Sequence, residues 1–174
     1  KEESTVKKFA IIGGSFNPVT KAHVEIGQIA ARELPGWQIL YIPAPDRFLT
    51  SWKAMEKNDI LSGEQRLNLL RKAVEPHGFL CEDCEVHLKT SAKTYDTMQY
   101  LRAQYGQDTQ LVYVCGTDKL SELSIWYKAE GIFELSRFLV IPRDGDEPEK
   151  MIEKISFLKE RKDKIVISHE PVSY

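Results

Sequence analysis

"FAIIGGSFNPVTKAHVEIGQIAARE", Phe9–Glu33, joins an apolar run to a helical pattern through two glycines and a turn. A short apolar run stops at two adjacent glycines, a turn-rich segment follows, and apolar residues then recur at helical spacing. Gly13 and Gly14 lack a Cβ, so the backbone there can turn tightly and bring its N–H groups close to a ligand. Asn17-Pro18 initiates a turn. Thr20 suits the N-cap of a helix beginning at Lys21. Strand, glycine turn and helix N-terminus together make an anion site, through exposed N–H groups and the helix dipole. His23 falls at about the third helical position, with its ring toward the same gap, and can donate a hydrogen bond to phosphate in either protonation state. Glycines alone would fit a turn that binds nothing, and a lone histidine is more often structural. The two side by side favour a ligand role.

Two phosphate motifs are excluded. No G-K-[ST] follows the glycines, so this is not a Walker A loop. No third glycine completes G-x-G-x-x-G and no acidic residue ends the second strand, which disfavours a dinucleotide-binding dehydrogenase.

Outward from this stretch, short apolar runs alternate with amphipathic helical patterns. "KFAIIGG" (8–14), "WQILYIPA" (37–44), "EDCEVHL" (82–88), "QLVYVCG" (110–116), "RFLVIPR" (137–143) and "KIVISHEP" (164–171) read as strands, several of them continuous apolar blocks suited to burial on both faces. Residues 21–34, 62–75, 94–105 and 147–161 read as helices. The alternation predicts an α/β fold, a parallel sheet with helices on both faces built from right-handed βαβ units. Ligands in such folds bind beyond the carboxyl ends of the strands. The segment 44–60 is long and weakly patterned, as functional loops often are.

With 174 residues, 42% hydrophobic and 29% charged, one domain spanning 1–174 with a sizeable core is expected. A formal net charge of −2 supports neither a basic nucleic-acid surface nor a polybasic membrane patch. No apolar run approaches the ~18 residues of a spanning helix. "KEESTVKK" lacks the apolar core of a secretory signal, and Lys1 in place of Met points to a processed, tagged or partial chain. Cys81 and Cys84 form C-x-x-C, but a zinc site would need a second pair, and a redox pair would want a helix N-terminus rather than acidic neighbours. The expectation is ordinary reduced cysteines in a cytoplasmic protein.

"GGSFNPVTKAH" resembles the (H/T)-x-G-H signature of the nucleotidylyltransferase superfamily, and its G-S-F-N-P-x-T-x-x-H form is similar to nicotinamide/nicotinate mononucleotide adenylyltransferases. "GEQRLNLLRKAV", "KTYDTMQYL", "LVYVCGTDKLSELSIWYKAEGIF" and "RFLVIPRDG" resemble further family segments in the same order and spacing. The resemblance implies a Rossmann-like nucleotidylyltransferase fold and adenylyl transfer from ATP to nicotinate or nicotinamide mononucleotide. Mg²⁺ would be bound through the ATP phosphates, with no metal site on the protein. The attacking phosphate has its second pKa near ~6 and needs no general base, so catalysis reduces to positioning and charge stabilisation.

Carried over residue by residue, the resemblance implies His23, Thr20 and Lys57 as catalytic groups, with Lys53 an alternative to Lys57. Gly13, Gly14, Ser15, Phe16, Asn17, His23, Gly116 and Asp118 would bind nucleotide. Thr94, Ile125, Trp126 and Arg143 would hold the pyridine substrate, Trp126 by stacking on the ring. Trp126 could equally be core, and Asp118 a helix N-cap before Lys119. Ala22 departs from the commoner glycine of the signature, and the chain ends at "ISHEPVSY", about where the family's S-(S/T)-x-x-R segment would begin. Rival readings are another superfamily member such as a phosphopantetheine adenylyltransferase or a cytidylyltransferase, a nucleotide-binding module without catalysis, and a C-x-x-C redox protein.

Overall fold

The computed structural model describes residues 6–46 and 61–173. Six strands, β1 Lys8–Gly14, β2 Gln38–Pro43, β3 Leu80–Cys81, β4 Gln110–Cys115, β5 Ser136–Val140 and β6 Ile165–Ile167, form one sheet in the order β3-β2-β1-β4-β5-β6. Every pairing is parallel. Among the described residues the helices of four or more residues are α1 Lys21–Glu33, α2 Gly63–Val74, α3 Thr94–Tyr105, α4 Ala129–Leu135, α5 Pro148–Lys154 and α6 Ser156–Lys159.

The continuous apolar blocks are strands buried on both faces, because successive side chains point to opposite sides of a sheet. Phe9 and Ile11 of β1 pack in one cluster with Leu40, Leu111 and Phe138. Ala10 and Ile12 pack in the other with Tyr41, Val112 and Leu139. Ile29 and Ala30 of α1 and Leu70 and Val74 of α2 cover the second face. Met98 and Leu101 of α3, Phe133 of α4, Ile152 of α5 and Leu158 of α6 cover the first. Close packing fixes particular residues: a Cβ on Gly27 of α1 would fall on the buried Tyr41 hydroxyl, which donates to the His23 carbonyl at 2.8 Å.

The parallel sheet expected from the alternation is present, in the Rossmann-like arrangement that the resemblance implies and with β1 inside the sheet. Two expectations need correction. The segment 82–88 is a succession of turns, and β3 contributes only Leu80–Cys81. Local bonds replace the ladder: His87 N–H donates to Asp83 O at 2.9 Å and Lys89 N–H to Cys84 O at 2.7 Å. The alternation Cys84, Val86, Leu88 mimicked a strand, yet Cys84 is buried and Leu88 is exposed in a left-handed conformation, φ +56°. The helix expected over 147–161 is broken at Ile155, whose φ −106° and ψ 109° are extended, so α5 and α6 are separate.

Candidate active site

The chain lays β1 to β3 outward in one direction and returns to place β4 on the other side of β1. At this topological switch the connections leaving β1 and β4 diverge and open a crevice beyond the strand ends. A cavity of about 410 Å³ occupies it, lined by Gly13, Gly14, Glu85, Thr94, Tyr113 and Trp126 among others. Glycine at 13 keeps room for the Tyr113 hydroxyl, which an added Cβ would approach to 3.0 Å.

The glycine turn is built from below. Phe16 adopts φ +48°, and its ring is buried under Gly14, where a Cβ would come within 3.2 Å of it. That ring meets His23 edge-on at 4.9 Å between centroids. What Phe16 has to offer a ligand is therefore its backbone. Asn17 Oδ1 accepts from Leu61 N–H at 2.8 Å, tying the turn to the approach to α2. The Ser15 carbonyl accepts from the fully buried Arg66, whose guanidinium also donates to the Ala44 carbonyl and pairs with Asp46.

Thr20 is the N-cap of α1, as the sequence predicts, and His23 stands at the third helical position. The pair forms a reciprocal capping box, with histidine in the place usually held by Glu or Gln. Thr20 N–H donates to His23 Nδ1 at 2.9 Å, and His23 N–H donates to Thr20 Oγ1 at 3.4 Å. A ring nitrogen that accepts carries no proton, so neutral His23 holds its proton on Nε2. The cap thus selects a tautomer with a donor at the far edge of the ring.

On the other side of Gly14, Gly116 closes β4 and precedes a 3₁₀ turn over Thr117–Lys119. Asp118 is exposed within that turn and is not its N-cap; Gly116 is. A Cβ on Gly116 would lie 2.8 Å from Asp118 Oδ1, so glycine lets the carboxylate fold over the strand end. Trp126 is half-buried, with its indole N–H donating to Glu122 Oε1 at 3.2 Å and its ring edge-on to Tyr113 at 5.6 Å. It both packs on the core and walls the cavity. Thr94 opens α3 beside it.

Ile125 and Arg143 do not line this cavity. Ile125 is 82% exposed. Arg143 lies past β5, bridged to Val172, with its N–H on Asp146 Oδ2 at 2.9 Å. Lys53 and Lys57 lie outside the described residues.

Sequence reasoning missed three contributors. Tyr113 was hidden in a strand. Arg66 carried a signal: it stands four and eight residues before Leu70 and Val74, on the buried stripe of α2. Glu85 was one acid among several in 82–88, yet burial pushes its carboxyl up to about 7 from 4.5, against a smaller opposing effect of the Thr97 hydroxyl that donates to it at 2.8 Å. The cysteines behave oppositely to a redox pair: burial raises the Cys81 thiol to about 11 and also raises Cys84, and all three cysteines are free. Among the described residues, no group of three or more His, Cys, Asp and Glu side chains could hold a metal ion, and no helix is long and apolar enough to cross a membrane.

The fold has solved counterparts. A Plasmodium falciparum nicotinic acid mononucleotide adenylyltransferase complexed with APC superposes with a TM-score of 0.67 at 16% identity, over 92% of this chain and 73% of that one. The same enzyme complexed with NaAD gives a TM-score of 0.67 at 16% identity, over 92% and 74%. A Vibrio parahaemolyticus protein described as a candidate nicotinate-nucleotide adenylyltransferase gives 0.58 at 20% identity, over 85% and 80%. At these identities the likeness is one of fold. The cytidylyltransferase-like family model, by contrast, matches the sequence itself over residues 11–170, from the first strand past the last, and the chain belongs to the cytidylyltransferase-like family.

Proposed function

We propose that this protein transfers the adenylyl group of ATP to nicotinate or nicotinamide mononucleotide, giving the dinucleotide and pyrophosphate. The observation that carries the reading is one strand end, Gly13-Gly14, shared by two unlike half-sites. On one side lies the capped α1 N-terminus with His23; on the other, an aromatic-walled cavity with Trp126. A dinucleotide has that composition, an aromatic ring at a distance from a run of phosphates. The solved structures alike in fold, one of them holding NaAD, support the same reading.

In this reading the pyridine ring stacks on Trp126, with Thr94 beside it. The 5′-phosphate is thereby directed toward the glycine turn. An oxygen of that phosphate attacks the α-phosphorus of ATP. The bond from the α-phosphorus to the bridging oxygen breaks, and pyrophosphate leaves with the electron pair. Backbone N–H groups of the turn and the Nε2–H of His23 stabilise the charge that develops on the α-phosphate. Gly116 and Asp118 receive ribose hydroxyls of the nucleotide. Mg²⁺ would come with ATP, bound through its phosphates, and would supply charge neutralisation to the pyrophosphate. We place the protein in the cytosol on its cysteine usage, three cysteines in 174 residues and all of them free thiols.

The test is product analysis with ATP or CTP as donor and nicotinate mononucleotide, nicotinamide mononucleotide or phosphopantetheine as acceptor. Pyrophosphate and a pyridine dinucleotide formed only with ATP are expected. Turnover of phosphopantetheine, or of CTP, would replace the proposal with another transfer.

A further inference from the structure

The cavity beside the glycine turn is lined by a carboxyl group that the mechanism does not use. Glu85 lines the same cavity as Trp126 and Thr94. Its Oε2 accepts from the Thr97 hydroxyl at 2.8 Å. Thr97 is fixed in turn by Thr90 at 3.3 Å, and Thr90 Oγ1 accepts from Ala92 N–H at 2.9 Å. This chain of bonds pins the turn before α3, in which Ala92 is left-handed at φ +72°. Glu85 Oε1 has no hydrogen-bond partner among the described residues. The carboxyl is thus oriented at one oxygen and open at the other, in a pocket sized for a substituted aromatic ring.

Resting on the adenylyl-transfer reading above, we infer that Glu85 reads the substituent of the pyridine ring and makes the choice between nicotinate and nicotinamide mononucleotide depend on pH. As the neutral acid, Glu85 donates a hydrogen bond, which suits a ring carboxylate. As the carboxylate, it repels that group and instead accepts from the N–H of a ring carboxamide. Unpaired like charges in a buried site are among the strongest means of rejecting a ligand.

Other titratable groups face Glu85 and must be separated from it. Tyr113 of β4 and Cys84 on its own segment are both pushed above their ordinary values by burial, so neither ionises between pH 5.5 and 8.5. Lys119 and Glu122 also line the cavity, 3.8 Å from one another, so their charges oppose each other. Glu85 is itself poised near neutrality, because burial raises its carboxyl to about 7. The 5′-phosphate is common to both mononucleotides, and its titration cancels in their ratio.

The experiment measures kcat/KM for both mononucleotides with ATP between pH 5.5 and 8.5, in the wild type and in Glu85→Gln. The ratio of nicotinate to nicotinamide form should fall at least tenfold across this range in the wild type. It should change less than twofold in Glu85→Gln, whose amide both donates and accepts at every pH. A readout that needs no variant is calorimetric binding at pH 7.5 in buffers of different ionisation enthalpy. Nicotinate mononucleotide should take up more protons on binding than nicotinamide mononucleotide. A flat wild-type ratio, the same slope in Glu85→Gln, or equal proton uptake would each overturn the role of Glu85 while leaving adenylyl transfer intact. Absence of dinucleotide from either mononucleotide would refute the transfer reading, and this inference with it.

Discussion

The guanidinium of Arg66 and the carbonyl of Ser15 lie 51 residues apart in sequence and 2.7 Å apart in space. The same guanidinium donates to Ala44 O at 2.7 Å. One buried side chain therefore joins the turns that follow β1 and β2 beneath the candidate site. Both carbonyls would otherwise be left without this partner as the turns close over one another. A cation is accepted there because its charge is met by Asp46 at 2.8 Å and by two carbonyl dipoles.

Arg66→Met keeps the apolar stem and removes the three donors. It should destabilise the protein by about 3 kcal/mol, since the Ser15 and Ala44 carbonyls each lose a charged donor at a cost of about 1–3 kcal/mol, while the exposed Asp46 is left to solvent at little cost. The expected fall in Tm is roughly 6–12 °C. Lysine should recover only part of it, because one ammonium cannot reproduce a planar fork. Thermal unfolding of the three proteins checks this; an unchanged Tm in Arg66→Met would show that the turns hold without it.

His23 and Thr20 should separate cleanly in kinetics. His23→Ala removes the donor to the reacting phosphate and should lower kcat by roughly 10²–10³-fold. Thr20→Ala removes only the hydroxyl of the cap. The backbone N–H that fixes the His23 tautomer remains. Thr20→Ala should therefore cost about 1 kcal/mol of stability and much less in kcat. Equal losses of kcat in the two variants would contradict this division of roles.

Trp126→Ala should raise KM for the pyridine mononucleotide about ten- to hundred-fold, the equivalent of ~1–3 kcal/mol of stacking. kcat and KM for ATP should change far less, because the ring interaction persists unchanged through the reaction. Phenylalanine or tyrosine should retain part of the affinity. Since Trp126 also packs edge-on to Tyr113, a modest fall in Tm is expected. A fall in Tm with unchanged relative KM values would reduce Trp126 to packing.

Glu85 should leave a mark on stability. Its folded pKa, about 7, lies above the ordinary 4.5, so between these values the folded state binds the extra proton. Stability from this group is therefore present below about pH 4.5 and is lost as pH rises through 7. The loss is on the order of 3 kcal/mol. Denaturant titrations from pH 5 to 8 should show this decline in the wild type and a flatter profile in Glu85→Gln. Parallel profiles would assign the decline to other groups.

Much of the architecture was written locally. The blocks "FAII" and "LVYV" state burial on both faces through composition alone, and the helical spacing of 21–34 and 62–75 follows from which side chains share a face. The capping of α1 by Thr20 needed only three residues of context, so it was legible too. The segment 82–88 was not. Its alternation is a true period-2 pattern, but a strand needs a neighbour to extend along, and β3 pairs only through Leu80 and Cys81 before local turn bonds take over.

Most of the order of strands and helices, the glycine turn, and a histidine one turn into the helix behind it could be read from local sequence, because periodicity, backbone freedom and capping act over a few residues. The remainder came from how distant segments pack. That packing set Trp126 and Glu85 in one cavity, left Arg143 outside it, and buried Arg66 beneath Ser15. Those outcomes depend on which distant segments meet at the carboxyl end of the sheet. Burial, and with it the protonation of Glu85, exists only once they have met.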